Sequence, residues 1–175
     1  MKTVTKTVEQ PNVVLDYDRK GLLAHIRQQF QINWHGTHGA SHWSRVLHHG
    51  KHIGCQTGAD PLIIELFAFL HDSCRWDEYC DPDHGPRAAE FTHGLNGQFF
   101  NLTGKQLDDL CFAIRHHSGG DVSTNVTVQT CWDADRLDLW RVGITPSPRY
   151  ISDIAFDRLD HAFDLCIKSK KSRHI

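Results

Sequence analysis

Residues 61–70 read PLIIELFAFL, a run in which only Glu65 is polar, and His71 and Asp72 follow it directly. A helix that is apolar on every side is a buried helix rather than an amphipathic surface one. Ten residues are too few to cross a bilayer. The chain must therefore build a core thick enough to surround this segment, and 175 residues suffice for one domain with one sizeable core. Asp60-Pro61 marks where the helix starts, with proline in its first turn. His71 and Asp72 then stand at the edge of the core, where an unpaired charge is expensive. Either they meet solvent at a helix end, or something pairs with them. A metal ion would satisfy both.

The rest of the chain reads as more helices. Residues 1–15 form a polar, β-branched lead-in. Leu22, Leu23, Ile26 and Phe30 recur at helical spacing between Asp16 and Phe30. A Gly- and His-rich loop, QINWHGTHGA, precedes Ser41, which is read as the cap of a helix HWSRVLHHGKHI. Pro86 opens the helix RAAEFTHGL. Thr103 caps a helix that ends at His116-His117, and Thr124 or Asn125 starts the helix running through CWDADRLDLWRV. Pro146 and Pro148 break the chain before a last amphipathic helix carrying Ile154, Leu159, Ala162, Phe163 and Cys166. No repeat and no period-2 run occurs. The expected class is all-α: a compact single-domain bundle of about six or seven helices, spanning residues 16–168, with a basic tail at 169–175.

Composition narrows the function. The net charge of −2 leaves no electrostatic footprint for a nucleic-acid polymer. No signal peptide or membrane span is read at the sequence level. The six cysteines form no C-x-x-C pair, which suits reduced, buried thiols in a cytoplasmic protein rather than structural zinc. Oligomeric state is open.

Two further helices carry chemistry-bearing residues. On the helix through CWDADRLDLWRV, Val128, Cys131, Trp132, Asp135, Leu139 and Val142 share one stripe, so a carboxylate lies among apolar residues and needs a partner. Asp133 is two residues away and points elsewhere. The partner of Asp135 is either a metal or an arginine such as Arg45, Arg115 or Arg136. On the helix beginning near Ser41, His42, Val46, His49 and Ile53 share a stripe, with Arg45 on nearly the same side. His42, His71, Asp72 and Asp135 make a mixed nitrogen/oxygen set that suits Mn, Fe, Co, Ni or Zn better than Ca, with Mg also retained.

The order H…HD…D, carried by HGTHGASHWSRV, FAFLHDSCR, DPDHGPRAAEF, AIRHHSGG and CWDADRLD, resembles the HD superfamily of metal-dependent phosphohydrolases. The resemblance covers residues 34–141. It implies an all-helical domain, with His42, His71, Asp72 and Asp135 as metal ligands, the last being the aspartate directly before Arg-Leu. It also implies a small phosphorylated metabolite or nucleotide as substrate, cleaved at a phosphomonoester or pyrophosphate bond by a metal-activated water. Branches that hold two metals recruit further histidines. His84 and one of His116 and His117 would serve, with Asp72 bridging; otherwise these histidines would hold phosphate.

Arg45, Arg75 and Lys51 are the expected phosphate-binding cations, with Asp72 and Arg45 in the catalytic set, and Asp77 is the expected general acid. The nucleotidase and guanosine-tetraphosphate hydrolase branches place a glutamate three residues after the HD aspartate. Arg75 stands there in this chain, which argues against those substrates. The competing readings are a two-metal phosphodiesterase or di-iron oxygenase, and a non-catalytic sensing module.

Overall fold

The computed structural model of the chain describes residues 15–171. Most of the proposed lead-in and the end of the basic tail lie outside the described residues. Eight α-helices are present among the described residues: α1 (Arg19–Gln29), α2 (Ala40–Thr57), α3 (Pro61–Leu70), α4 (His84–Leu95), α5 (Gly104–His116), α6 (Val126–Arg136), α7 (Asp153–Phe156) and α8 (Leu159–Lys171). The described residues contain no strand, only an isolated bridge between Asn96 and Phe100. The all-α expectation holds.

Helix starts follow local chemistry. Asp60 caps α3 by accepting from the amides of Leu62 (2.9 Å) and Ile63 (3.3 Å), with Pro61 in the first turn where its missing N–H costs nothing. Thr103 and Gln106 form a reciprocal capping box on α5. Asn125 caps α6 through the amides of Thr127 and Val128. α2 departs from expectation. It begins at Ala40, not after Ser41, because the Trp34 carbonyl accepts from the Ala40 amide (2.9 Å) and ties down the first turn without a side-chain cap. α4 likewise starts at His84, with Pro86 inside its first turn.

α3 is the axle of the fold. Its residues from Ile63 to Leu70 are buried without interruption, and α2, α5 and α6 pack around it. Two glycines permit the close approaches that matter. A Cβ at Gly50 would meet Ile64 Cγ2 at 2.6 Å, so only glycine lets α2 lie this close to α3. A Cβ at Gly85 would meet the carbonyls of Arg115 (2.8 Å) and Ile114 (2.9 Å), so glycine there brings α4 against the end of α5.

The C-terminal part differs from expectation. α6 ends at Arg136, and the chain tightens into a 3-10 turn at Leu139–Val142. Val142 thus leaves the stripe and becomes exposed. Asp138, just before this turn, is buried with its carboxylate held by His42 and Arg45. The last helix is broken in two at Asp157-Arg158, with Ser152 capping α7 through the Ala155 amide. Ile53, Leu137, Ile151, Ala155 and Ala162 form a small second core beside the main one. Cys131 and Cys166 are buried thiols as expected, but Cys55 and Cys80 are exposed. No helix of the described residues is long and apolar enough to cross a membrane.

Candidate metal centre

Four helix ends deliver imidazoles to Asp72. α2 brings His42 in its first turn, His71 directly follows α3, α4 begins with His84, and His117 directly follows α5. α6 brings Asp135. All six side chains are buried.

Each imidazole has its Nδ1 tied to an oxygen. His42 Nδ1 lies 2.7 Å from Asp138 Oδ2, His71 Nδ1 3.0 Å from the Phe67 carbonyl, and His117 Nδ1 2.7 Å from the Ile114 carbonyl. His84 Nδ1 bonds to the Asp81 carbonyl. A carbonyl only accepts, so in His71, His84 and His117 the Nδ1 carries the proton. A neutral ring then presents its Nε2 lone pair, and the Nε2 atoms converge in pairs. His42 and His71 face each other at 3.0 Å, and His84 and His117 at 2.9 Å. Asp72 lies between the pairs. Its Oδ2 is 3.5 Å from the Nε2 of both His42 and His71, and its Oδ1 is 3.4 Å from that of His84 and 3.6 Å from that of His117. Asp135 Oδ1 completes the first pair at 3.3 Å from His42 and 3.7 Å from His71; it is buried and has no hydrogen-bond partner.

These separations suit ligands sharing one ion. Ligand distances of roughly 2.0–2.2 Å put neighbouring donor atoms roughly 2.9–3.6 Å apart in octahedral or tetrahedral geometry. Lone pairs that face each other across 3 Å repel, and a buried carboxylate oxygen with no donor is costly. A cation removes both penalties. The donor set therefore fits a divalent metal. His42, His71, Asp72 and Asp135 form one candidate site, and His84, His117 and Asp72 form a second beside it.

Proton affinities follow the same logic. Burial drives His71 down to about 3, keeping it neutral, and burial with the neighbouring His117 also lowers His84. Burial alone would raise the carboxyls, but the imidazoles reverse this. Asp72 and Asp135 are held well below the usual carboxylate range, the latter also by Arg141. His117 moves the other way. Burial opposes its protonation, yet the carboxylate of Asp72 beside it raises it overall, so a proton does there what a metal would do.

Asp138 is the residue that sequence reasoning passed over. It is fully buried and holds His42 Nδ1, while Arg45 grips it twice, Nε to Oδ1 at 2.6 Å and Nη2 to Oδ2 at 2.9 Å. A carboxylate behind a metal-binding histidine fixes its tautomer and strengthens it as a donor. Burial would raise Asp138, but His42 and Arg45 hold it at about 2. The signal was present in DADRLD, three residues after Asp135 and so on nearly the same helical face. Asp133 is accounted for locally: Ser152 Oγ (2.6 Å) and Gln129 Nε2 (2.7 Å) donate to it.

A cavity of about 360 Å³ opens over the centre, lined among others by His38, Arg75, His84, Arg136, Arg141 and Tyr150. Arg75 lines this cavity, with Nη1 3.3 Å from Asp72 Oδ1 and 3.1 Å from His84 Nε2. Arg141, not expected, approaches Asp135 Oδ1 at 3.9 Å. His38, also not expected, is buried with Nδ1 2.7 Å from Glu78 Oε2.

The other sequence candidates lie elsewhere. Arg45 is spent on Asp138 behind the centre rather than facing the cavity. Lys51 pairs with Glu65 at 3.2 Å, one helix face away. His116 is exposed and packs on Phe112 at 4.7 Å between ring centroids, because only its successor turns inward. Asp77 is an exposed turn residue whose carboxylate accepts from the amides of Cys80 (2.8 Å) and Tyr79 (2.6 Å). Those bonds lower its pKa, the wrong direction for a general acid.

The fold is similar to that of a predicted HD superfamily hydrolase from an uncultured Thermotogales bacterium. The two match with a TM-score of 0.66 at 23% identity, over 88% of this chain and 90% of that one. No family model matches the sequence, and no curated protein matches it. The likeness is one of fold: the two chains share the same helical architecture over most of their length.

Proposed function

We propose that this chain, folded as an HD-superfamily domain, is a metal-dependent phosphohydrolase acting on a small phosphorylated molecule. The observation that carries the reading is the pair of facing Nε2 contacts on either side of Asp72, at 3.0 and 2.9 Å, in a buried setting with a cavity above. His42, His71, Asp135 and Oδ2 of Asp72 would hold one cation; His84, His117 and Oδ1 of Asp72 would hold another. When bound, divalent cations supply Lewis acidity toward a phosphoryl oxygen and lower the pKa of a water.

The chain's own residues do the rest. Arg75 and Arg141 flank the floor of the cavity from opposite sides and neutralise charge on the phosphoryl oxygens. Arg136 shapes the wall instead, because its guanidinium donates to the carbonyls of Tyr150 (2.5 Å) and Gly119 (3.1 Å). His38, held at the cavity wall by Glu78, takes the place of the exposed Asp77 in passing a proton to the leaving oxygen; burial lowers its pKa overall, so it carries that proton only toward acid pH. The apolar part of the rim, Leu139, Val142 and Ile144, gives the non-phosphate end of the substrate a surface to lie on.

The test is a panel of phosphomonoesters, phosphodiesters and nucleoside pyrophosphates, assayed with Mn, Mg or Co and with metal content measured on the same sample. Turnover of one class with metal bound supports the proposal. Silence across the panel at full metal occupancy rejects it. Two ions per chain would support the paired arrangement; one would restrict the centre to His42, His71, Asp72 and Asp135.

A further inference from the structure

We propose that Arg75 is a built-in competitor for the second cation position, so that the paired centre fills in two unequal steps: one ion tightly at His42, His71, Asp72 and Asp135, and another at His84, His117 and Asp72 only against Arg75. Arg75 is buried, and its Nη1 touches two of that position's three ligands, standing 3.3 Å from Asp72 Oδ1 and 3.1 Å from His84 Nε2. The proton of His84 sits on Nδ1, toward the Asp81 carbonyl, so Arg75 donates to the lone pair of Nε2. A single lone pair serves a guanidinium or an ion, not both. Charge acts in the same direction. Asp72 Oδ1 and His84 Nε2 lie 3.4 Å apart, and an ion bound to both at roughly 2.0–2.2 Å would stand no more than roughly 4 Å from Nη1, where like charges repel even near a protein surface.

The loop that carries the guanidinium holds it there. Arg75 Nε donates to the Asp77 carbonyl at 3.3 Å. On either side of Arg75 the chain is pinned by Arg87 of α4. Arg87 donates to the Cys74 carbonyl (3.1 Å) and to both carboxylate oxygens of Asp81 (2.7 and 2.6 Å), and its guanidinium lies over the Trp76 ring at 3.7 Å. Asp81 in turn accepts from the Trp76 amide (2.7 Å), and its carbonyl orients His84. One clamp therefore sets both Arg75 and the imidazole it touches. The first position differs. Asp135 supplies a further carboxylate there, and Arg141 approaches its Oδ1 only to 3.9 Å. The inference rests on the metal-binding half of the function proposed above, not on the reaction.

The experiment titrates Mn²⁺ into the metal-stripped full chain, wild type and Arg75→Gln, by calorimetry, with electron paramagnetic resonance following the spin coupling of ions held side by side. The wild type is expected to bind one Mn²⁺ and to take a second about 100-fold more weakly, with an uncoupled signal at one equivalent. Arg75→Gln should close that gap to about 10-fold or less and show the coupled pair at two equivalents. Adding His84→Gln to Arg75→Gln should remove the second step, which locates it at α4. Two equal steps in the wild type, or a gap that R75Q leaves unchanged, overturn the proposal while the metal centre stands. Absence of bound Mn²⁺ from both folded proteins overturns the centre and the proposal together. Silence in the phosphate-ester panel with the two unequal steps intact rejects only the reaction. Should circular dichroism show Arg75→Gln unfolded, the wild type decides alone: a weak second step supports the proposal, and a coupled signal growing from the first equivalent overturns it.

Discussion

One helix, α3, with its C-terminal extension, buries two carboxylates in opposite ways. Glu65, at its middle, is surrounded by donors of the protein's own: Tyr17 Oη at 2.7 Å, Arg19 Nε at 2.8 Å and Lys51 Nζ at 3.2 Å. Asp72, two residues beyond the helix, is surrounded by four Nε2 atoms, with Arg75 the one Lys or Arg in contact among the described residues. Both carboxyls are held below the usual range against the effect of burial. The lesson is that burial of a charge does not identify function, but the chemistry of its partners does. A carboxylate neutralised by guanidinium and ammonium is complete. A carboxylate ringed by imidazole lone pairs offers, besides its contact with Arg75, a place for a cation from outside.

The sharpest way to break the comparison is to remove each carboxylate. Asp72→Ala should lose bound metal by elemental analysis and lower turnover by about 10³-fold or more, the scale of several kcal/mol of lost charge stabilisation. Retention of full metal content would place Asp72 with Glu65 as structural. His38→Gln should lower kcat by about 10²-fold on alkyl phosphates and far less on a nitrophenyl ester, whose leaving group needs no proton. Equal losses on both would remove His38 from proton delivery. Asp138→Asn should keep the metal site but weaken it by about 10- to 100-fold, read in a competition titration with a chelator.

Glu65→Gln should leave metal content and kcat unchanged while lowering stability by about 2 kcal/mol in urea denaturation, since Arg19 is half exposed and can return to water. The smallest effect is its pH dependence. Burial pushes Glu65 up, but hydrogen bonds from Arg19, Tyr17 and Lys51 outweigh it and lower it overall. The folded value lies below the unfolded one. The stabilisation is therefore fully present above the ordinary glutamate range of about 4.3, and is lost as pH falls toward the folded value. The stability gap between wild type and Glu65→Gln, measured on metal-free protein, should narrow below about pH 4. A gap that widens there would contradict the assignment of Glu65 as an ion-paired carboxylate.

The degree to which the site was legible varied with distance along the chain. Asp60-Pro61 and the apolar run after it announced α3, because capping and burial are set by adjacent residues. The HD pair at its end and the aspartate before Arg-Leu in DADRLD were readable as motif. Lys51 and Asp77 were misplaced for the same reason as each other: proximity in sequence stood in for proximity in space. Lys51 lies on the Glu65 side of α2, and Asp77 folds back to cap its own loop. The choice between His116 and His117 could not be made from sequence, because adjacent residues on a helix end point about 100° apart and only the packing of α5 against α4 selects one. Arg141 was missed because the helical pattern was extended through it, whereas the chain tightens there into a 3-10 turn; Asp138 stood within the motif, but its partners His42 and Arg45 are remote in the chain.

The amino-acid sequence by itself determined the helical class, the buried axle and the residue types that converge, since periodicity, caps and apolar runs are local properties. The tertiary structure decided which nitrogens meet. It set the 3.0 and 2.9 Å contacts across Asp72, the carboxylate behind His42 and the arginines that face the cavity. Donor-to-donor distances between four helix ends depend on how closely the helices pack. That closeness rests on contacts, such as Gly50 against Ile64 and Gly85 against the end of α5, between residues remote in the chain.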